Sequence, residues 1–288
     1  MNILLTGASG QIGSELINTC PGSIHLVPFD KDSLNISDYE KVLEIVNTYK
    51  PDVVINSAAY TSVELAETEE QLAFQVNKNG VSNLALACAA NNIRLIHYST
   101  DYIFDGKKTS PYTIQDKPNP INIYGQSKLE GEREALKINR DKVLIIRTSW
   151  IYSKYGNNFV TTMLRLMKNK GQINVIKDQY GTPTWARSVA NITWEFVSNP
   201  ETNGIFHFCD EGSTNWFEFA MAIQEEAIKF NMIEHPAKII PIESKEYHSK
   251  VKRPSYSVLD CEKTWELINA KPDNWRIALG KMMTDYNL

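Results

Sequence analysis

The sequence predicts an α/β protein with a doubly wound parallel sheet of the Rossmann type and a smaller C-terminal substrate-binding lobe. Three observations support this: an apolar strand entering a glycine-rich turn at the N-terminus, four further apolar strands alternating with helical patterns, and a looser pattern after Trp150. Such alternation is typical of a parallel sheet covered by helices on both faces. We expect residues 1–152 to bind NAD(P), with one or two strands of residues 170–210 returning to that sheet. Residues 153–288 are expected to form the substrate-binding lobe.

The first strand, residues 3–5, leads into a turn with three glycines, Gly7-x-x-Gly10-x-x-Gly13, which opens a helical pattern. Gly7 permits a sharp turn, Gly10 lets the backbone approach a pyrophosphate, and Gly13 lets the helix pack against the strand. The helix N-terminus then offers free N–H groups and its positive dipole end to phosphate oxygens. The spacing is a variant of the G-x-G-x-x-G turn, and an ordinary strand–helix turn remains the alternative at this point.

The remaining elements follow in order along the chain. In the N-terminal half, strands are predicted at residues 24–29, 53–55, 94–98 and 143–146, and helices at 38–49, 69–91 and from 124 through 136. In the C-terminal half, helices are predicted at 158–168, 185–197 and 216–229, and strands at 173–176, 205–208 and 238–242.

Composition and charge argue against several classes of protein. The 288-residue chain has a formal net charge of −4 and no basic stripe, so we expect no nucleic-acid partner. No apolar run approaches the ~18 residues of a membrane span, and the chain enters its first strand without a signal peptide, so we expect no membrane association. The four cysteines form no CxxC pair, which is typical of a reducing cytoplasm. The five histidines show no metal-ligand spacing.

Two neighbouring residues after the second strand bear on the choice of dinucleotide. Asp30 stands where this fold places an acid that binds the adenine-side ribose. Lys31 could instead neutralise the 2′-phosphate of NADP. The pair therefore leaves NADP(H) and NAD(H) both open, and a plain charged loop is the structural alternative.

Polar side chains follow the fourth strand at Ser99, Thr100 and Asp101, at the edge of the sheet that receives ligands; helix capping is the alternative.

Tyr124 and Lys128 are four apart at the start of the next helix, and so share one helix face. A phenol has a pKa of ~10, and an ammonium beside it, together with a nicotinamide ring, lowers that pKa by stabilising the phenolate. We therefore predict that Tyr124 and Lys128 are catalytic, with Thr100 hydrogen-bonded to the same substrate oxygen.

These motifs resemble the extended short-chain dehydrogenase/reductase superfamily. Narrower motifs resemble the dTDP-4-dehydrorhamnose reductase family over nearly the whole chain: residues 147–152 (RTSWIY), 155–159 (YGNNF), 178–184 (DQYGTPT) and 253–260 (RPSYSVLD). The resemblance implies an NADP-dependent oxidoreductase, with NAD(H) as the alternative cofactor. Its implied partner is a dTDP-sugar, whose C4 keto group it reduces to give dTDP-L-rhamnose for cell-surface polysaccharide.

The resemblance also implies roles for single residues. Tyr124 donates the proton to the C4 oxygen, Lys128 tunes Tyr124 and holds the nicotinamide ribose, and Thr100 orients the same oxygen. The implied sugar-binding residues are Thr100, Asp101, Tyr124 and Trp150. Together with the arguments above, the predicted cofactor-binding residues are Gly7, Ser9, Gly10, Gln11, Ile12, Gly13, Asp30, Lys31, Asn35, Ile36, Ala58, Ala59, Tyr60, Ser99, Tyr124 and Lys128.

Two positions depart from relatives of the family. Some relatives have Asp at the adenine-contacting position of Asn35, so this chain keeps a hydrogen-bonding side chain but loses a charge. Some relatives dimerise through a divalent metal held partly by a glutamate, where this chain has Arg187. A cationic side chain cannot ligate a metal cation, so we expect no metal and a monomer or a weak dimer.

Other functions remain open at this stage. A reductase of another nucleotide-linked 4-keto-sugar would share these motifs, and an epimerase or dehydratase on the same fold would return its hydride to the sugar. A regulatory subunit that only senses dinucleotide is the non-catalytic alternative. Such a protein has no need of Tyr124 and Lys128 at their spacing.

Overall fold

The computed structural model describes residues 1–286, and in this part of the chain it contains twelve strands and eleven α-helices. The strands are β1 Asn2–Thr6, β2 His25–Phe29, β3 Val53–Asn56, β4 Arg94–Thr100, β5 Val143–Thr148, β6 Ile151–Tyr152, β7 Gln172–Ile176, β8 Tyr180–Gly181, β9 Thr184–Trp185, β10 Gly204–His207, β11 Thr214–Asn215 and β12 Lys238–Ile242. The helices are α1 Gln11–Asn18, α2 Tyr39–Tyr49, α3 Val63–Ala66, α4 Glu70–Phe74, α5 Val81–Ala90, α6 Ile123–Asn139, α7 Phe159–Asn169, α8 Ala186–Ser198, α9 Trp216–Lys229, α10 Glu262–Leu267 and α11 Trp275–Tyr286.

The central sheet has six strands in the order β10-β5-β4-β3-β1-β2 within the described residues. All of its neighbouring strands pair in parallel. The chain order reverses between β1 and β3, so the carboxyl ends of these strands border a crevice where such folds bind ligands. The predicted doubly wound parallel sheet is confirmed.

Helices cover both faces of this sheet. On one face, α2, α5 and α6 pack over an apolar layer that includes Leu4 and Leu95. On the other face, α1 and α8 pack over a layer that includes Ile3 and Leu5. Successive strand residues point to opposite faces, so a strand covered on both faces is apolar along its middle, as β1 is at residues 3–5 and β3 at residues 53–55.

The C-terminal half has an apolar core of its own, formed by α7, α9 and α11 with the parallel pair β7 and β12. Two of its elements nevertheless complete the central sheet layer: β10 pairs with β5, and α8 packs on α1. The site described below lies where these two cores meet. In residues 1–286, no helix combines the length and apolarity needed to cross a bilayer.

Most boundaries of the predicted elements lie within two residues of the observed ones. The two-residue strands β6, β8, β9 and β11 have no predicted counterpart, and the helices differ in three further ways. The predicted helix over 69–91 is interrupted by a π-helical turn at Gln75–Gly80 between α4 and α5. The short helices α3 and α10 were not predicted, because four and six residues are too few to show a helical period. Helix α11 was missed, although its buried residues Trp275, Leu279 and Met282 have helical spacing.

Candidate functional site

A cavity of about 540 Å³ opens at the carboxyl ends of β1, β3 and β4 and reaches elements of the C-terminal half. The predicted site residues that line it are Gly10, Gln11, Ile12, Ala58, Ala59, Ser99, Thr100, Asp101, Tyr124, Lys128 and Trp150. The predicted residues that lie outside its lining are Gly7, Ser9, Gly13, Asp30, Lys31, Asn35, Ile36 and Tyr60.

The glycine turn is shaped by close backbone packing. Gly7 has a φ of +71°, and a Cβ there would lie 2.4 Å from the backbone nitrogen of Ala58. A Cβ on Gly13 would lie 2.3 Å from the carbonyl oxygen of Gly7. Gly10 caps the N-terminus of α1 without a side-chain hydrogen bond, so the first N–H groups of this helix remain available to an anionic ligand.

The end of β2 presents an ordered carboxylate. Oδ1 of Asp30 accepts hydrogen bonds from the backbone N–H of Ser33 at 2.9 Å and from its hydroxyl at 2.6 Å. These bonds lower the pKa of Asp30, so the group is ionised near neutral pH. Lys31 and Asn35 are exposed on the same loop, whereas the side chain of Ile36 is buried in the core.

Asn77 in the π-helical turn braces this site, a role that the sequence analysis did not assign. Its Oδ1 accepts from the backbone N–H of Tyr60 at 2.9 Å, and its Nδ2 donates to the carbonyl oxygen of Tyr60 at 3.0 Å. The same Nδ2 donates to the hydroxyl of Ser127 at 3.0 Å. Asn77 therefore fixes the loop after β3 to helix α6. The only feature of the sequence that points to this role is that Asn77 is a polar residue inside an Ala- and Leu-rich helical segment.

Helix α6 holds two of the predicted catalytic side chains. Its N-cap is Asn122, whose side chain accepts from the backbone N–H of Gly125 at 2.8 Å. Lys128 is 3% exposed, and its Nζ donates to the carbonyl oxygen of Tyr98 at 2.6 Å. Burial lowers the pKa of Lys128 to about 8, while the carboxylate of Glu132 acts in the opposite direction.

Tyr124 is held in its protonated form. Burial raises the pKa of this phenol to about 12; the Thr100 hydroxyl lowers it, and the nearby Asp101 carboxylate raises it. Tyr124 can therefore act as a proton donor at neutral pH. In this arrangement the ammonium of Lys128 donates to the Tyr98 carbonyl oxygen. The expectation that Lys128, together with a nicotinamide ring, lowers the pKa of Tyr124 stays a prediction.

Asp101 is a buried carboxyl group in the wall of the cavity. The Thr100 hydroxyl donates to its Oδ1 at 3.1 Å, and its Oδ2 has no hydrogen-bond partner among the described residues. Burial raises the pKa of Asp101 to about 7. A buried polar atom without a partner is rare in folded proteins, and a ligand hydroxyl would satisfy this one.

Behind Lys128 lies a buried ion pair that sequence reasoning missed. Arg147 at the end of β5 donates to Glu132 through Nε at 2.9 Å and through Nη2 at 2.6 Å. Both side chains are almost fully buried, at 3% and 2% exposure. Glu132 is one turn beyond Lys128 on α6. This spacing is the feature of the sequence that could have indicated a carboxylate on the same helix face as Lys128. The pair ties α6 to β5.

A second cavity of about 740 Å³ adjoins the first within the described residues. The two cavities share Val63, Tyr102 and Trp216 in their linings, and α7, β7 and Arg253 line the second. Nη2 of Arg253 donates to Glu64 at 2.6 Å. An elongated ligand could therefore occupy both cavities and meet a cation in the second.

Arg187 lies in α8, away from both cavity linings. Its Nε donates to Glu15 of α1 at 2.9 Å, and it also forms an ion pair with Asp285. The Glu15 side chain is fully buried, so this guanidinium neutralises a charge that would otherwise be costly. Across residues 1–286, no group of three or more His, Cys, Asp or Glu side chains is arranged to hold a metal.

Comparisons with known proteins follow the whole length of the chain. The family model described as RmlD substrate binding domain matches residues 1–288. The dTDP-4-dehydrorhamnose reductase of Aggregatibacter actinomycetemcomitans is 39% identical, with 96% of each chain covered. A crystal structure of a dTDP-4-dehydrorhamnose reductase from Clostridium acetobutylicum superposes with a TM-score of 0.94 at 35% identity, covering 100% of both chains. The Bacillus anthracis dTDP-4-dehydrorhamnose reductase in complex with NADP has a TM-score of 0.92 at 34% identity, covering 99% of both.

Proposed function

Because the chain belongs to the dTDP-4-dehydrorhamnose reductase family, we propose that it uses NADPH to reduce the C4 keto group of dTDP-4-dehydro-L-rhamnose, forming dTDP-L-rhamnose. The single observation that carries the proposal is the set Thr100, Tyr124 and Lys128 in the lining of one cavity at the end of β4. Reduction of a ketone to an alcohol needs a hydride and a proton, and this set provides the proton.

The glycine turn fits a dinucleotide pyrophosphate. The uncapped N-terminus of α1 lies in the lining of the first cavity through Gly10, Gln11 and Ile12. Backbone N–H groups at a helix N-terminus, together with the helix dipole, favour a phosphate. Asp30 and Lys31 would face the adenine-side ribose, and Ala58 and Ala59 would line the path to the nicotinamide. When bound, NADPH supplies the hydride.

Tyr124 is the proposed proton donor to the developing alkoxide at C4. Its pKa of about 12 keeps the phenol protonated until the substrate oxygen gains negative charge. Thr100 would share a hydrogen bond with the same oxygen and orient it. Lys128 would hold the ribose next to the nicotinamide, because an ammonium has three donors and only one is engaged by Tyr98.

The two cavities would divide the substrate between them. We place the sugar in the first cavity, where the unpartnered oxygen of Asp101 can accept from a sugar hydroxyl and Trp150 offers an apolar wall. The nucleotide half would extend into the second cavity, where Arg253 can pair with a phosphate. The product is then an activated sugar for cell-surface polysaccharide.

A stoichiometric assay tests this function and separates it from its rivals. Purified protein with NADPH and dTDP-4-dehydro-L-rhamnose should consume one NADPH for each keto-sugar reduced. An epimerase or dehydratase would alter the sugar without net NADPH loss, and a regulatory subunit would bind dinucleotide without turnover. A panel of other nucleotide-linked 4-keto-sugars then ranks substrates by kcat/KM.

Localisation and assembly complete the proposal. We place the reaction in the cytoplasm, because Cys20, Cys88, Cys209 and Cys261 are all free thiols, as expected in a reducing compartment. We propose a monomer or a weak dimer without a metal bridge. Arg187 supports this, because it already neutralises Glu15 within one chain.

A further inference from the structure

The indole of Trp150 is held by two residues of the C-terminal half. The ring centroids of Trp150 and Trp216 lie 3.5 Å apart, with an interplanar angle of 7°. The backbone of Gly181 approaches the same indole so closely that a Cβ there would lie 2.4 Å from Cε2 of Trp150. The Trp150 side chain therefore has little freedom to change its orientation.

The two holding residues belong to one structural unit. Strand β11, which directly precedes Trp216, pairs with β8, in which Gly181 lies opposite Thr214. The ring of Phe159 packs against that of Trp216, with centroids 4.6 Å apart. Trp216 and Gly181 are thus fixed relative to each other, and Trp150 is held by that unit as a whole.

The backbone of Trp150 also needs external support. Its φ is +46°, in the left-handed region that bulky residues rarely adopt. Such conformations persist when the surrounding structure over-determines them, and they often occur at functional sites. The stacking with Trp216, the contact with Gly181 and the hydrogen bond that the Trp150 carbonyl oxygen accepts from the N–H of Thr184 at 3.3 Å can together maintain it.

Trp216 also lies at the boundary between the two cavities. It lines both of them, whereas Trp150 lines the first cavity together with Thr100, Asp101 and Tyr124. A ligand group in the second cavity can therefore act on the sugar site through the stacked indoles. Sugar placement matters because a shift of about 1 Å can cost roughly 10²-fold in rate.

We propose that Trp216 is a positioning residue for the reduction, acting through the Trp150 indole to fix the sugar in front of Tyr124. This inference rests on the proposed function of the same site. Trp216 sets the orientation of the sugar-site wall, and Gly181 is required because a side chain there would displace the Trp150 indole.

The test compares Trp216→Ala, Trp216→Phe and Gly181→Ala in the full chain. We expect Trp216→Ala to lower kcat/KM for dTDP-4-dehydro-L-rhamnose roughly tenfold or more, while the Kd for NADPH stays within about twofold. Trp216→Phe should recover most of the loss, because a phenyl ring still stacks on Trp150. Gly181→Ala should reproduce the loss with Trp216 intact.

Far-ultraviolet circular dichroism, where the strong indole transitions absorb, provides a readout that needs no substrate. A stacked indole pair gives a coupled signal, which Trp216→Phe and Trp150→Phe should each abolish. The proposal is overturned if the wild type is active and Trp216→Ala has the same kcat/KM for the keto-sugar. It is also overturned if the NADPH affinity of Trp216→Ala falls in parallel with its kcat/KM. Absence of turnover in the wild type would instead refute the proposed function. In that case, a signal unchanged by Trp216→Phe would still overturn the indole pairing.

Discussion

Nζ of Lys128 donates a hydrogen bond of 2.6 Å to the backbone carbonyl oxygen of Tyr98. This bond joins α6 to β4, the strand that ends at Thr100. It therefore fixes the helix that carries Tyr124 beside the hydroxyl of Thr100. It also directs a buried ammonium to the carboxyl edge of the sheet with two donors left for a ligand. The contact makes Lys128 part of the framework, and its remaining donors are the ones proposed to bind the cofactor.

Lys128→Met should therefore weaken NADPH binding as well as turnover. The substitution keeps most of the side-chain length but removes the ammonium. In the wild type, kcat/KM for NADPH should fall as the pH rises through about 8, because Lys128 loses its proton there. Fluorescence titration of NADPH measures the affinity, and Lys137→Met, an exposed position on the same helix, is the control. Unchanged NADPH affinity in Lys128→Met would remove this residue from the cofactor site.

Asp101 should make stability depend on pH. Burial raises its pKa from 3.8 to about 7, so the folded chain keeps a proton that the unfolded chain releases between these values. The stability contributed by this group is complete below its ordinary pKa and is lost as the pH rises through about 7. Asp101→Asn should gain thermal stability relative to wild type between about pH 5 and about pH 8. Asp32→Asn, at an exposed position, is the control. If the melting temperatures of Asp101→Asn and wild type changed in parallel with pH, the raised pKa of Asp101 would be contradicted.

Lys31 should determine any preference for NADPH over NADH. We expect NADPH to be used at least as well as NADH, because Lys31 is exposed beside Asp30 at the end of β2. A hydrogen bond to a charged group contributes ~1.5 kcal/mol, so Lys31→Ala should weaken NADPH binding roughly tenfold and leave NADH unchanged. Titration of both reduced cofactors measures this, and an unchanged preference would show that other residues select the cofactor.

Arg187 should stabilise the fold without any metal. Arg187→Ala leaves Glu15 buried and unpaired, so we expect a loss of about 2 kcal/mol in the free energy of unfolding. Lys41→Ala breaks an exposed ion pair with Glu44 and should cost about 0.5 kcal/mol or less. Denaturant unfolding measures both variants.

The same arrangement predicts that activity is insensitive to EDTA. Sedimentation of the wild type with and without magnesium should give the same mass, because no metal bridge is expected between copies. A dimer induced by magnesium would contradict this expectation.

The parts of the fold and of the candidate site that depend on local sequence pattern and on sheet topology could be predicted from the sequence. Apolar runs identified the parallel strands, and their carboxyl ends identified Thr100 and Asp101 as cavity residues. Helical spacing placed Tyr124 and Lys128 on one face of α6. The family resemblance is confirmed, since the matching family model covers residues 1–288.

Other parts of the site depend on contacts between distant segments, which spacing does not reveal. Asn77, within a π-helical turn, bonds Tyr60 in the loop after β3, and Arg147 at the end of β5 bonds Glu132 on α6. The pKa of Tyr124 likewise follows from burial, which a four-residue spacing could not indicate.

The most direct test of the central claim is the single-turnover reduction of the 4-keto-sugar by Tyr124→Phe with saturating NADPH. The variant keeps the ring and its edge contact with Tyr102 but removes the hydroxyl that would protonate the C4 oxygen. General acid catalysis contributes ~10²–10⁴-fold, so the single-turnover rate constant should fall by that factor while NADPH binding is retained. Tyr112→Phe, a buried tyrosine outside the cavity lining, should remain near wild type. Near-normal turnover by Tyr124→Phe would contradict the assignment of Tyr124 as the proton donor.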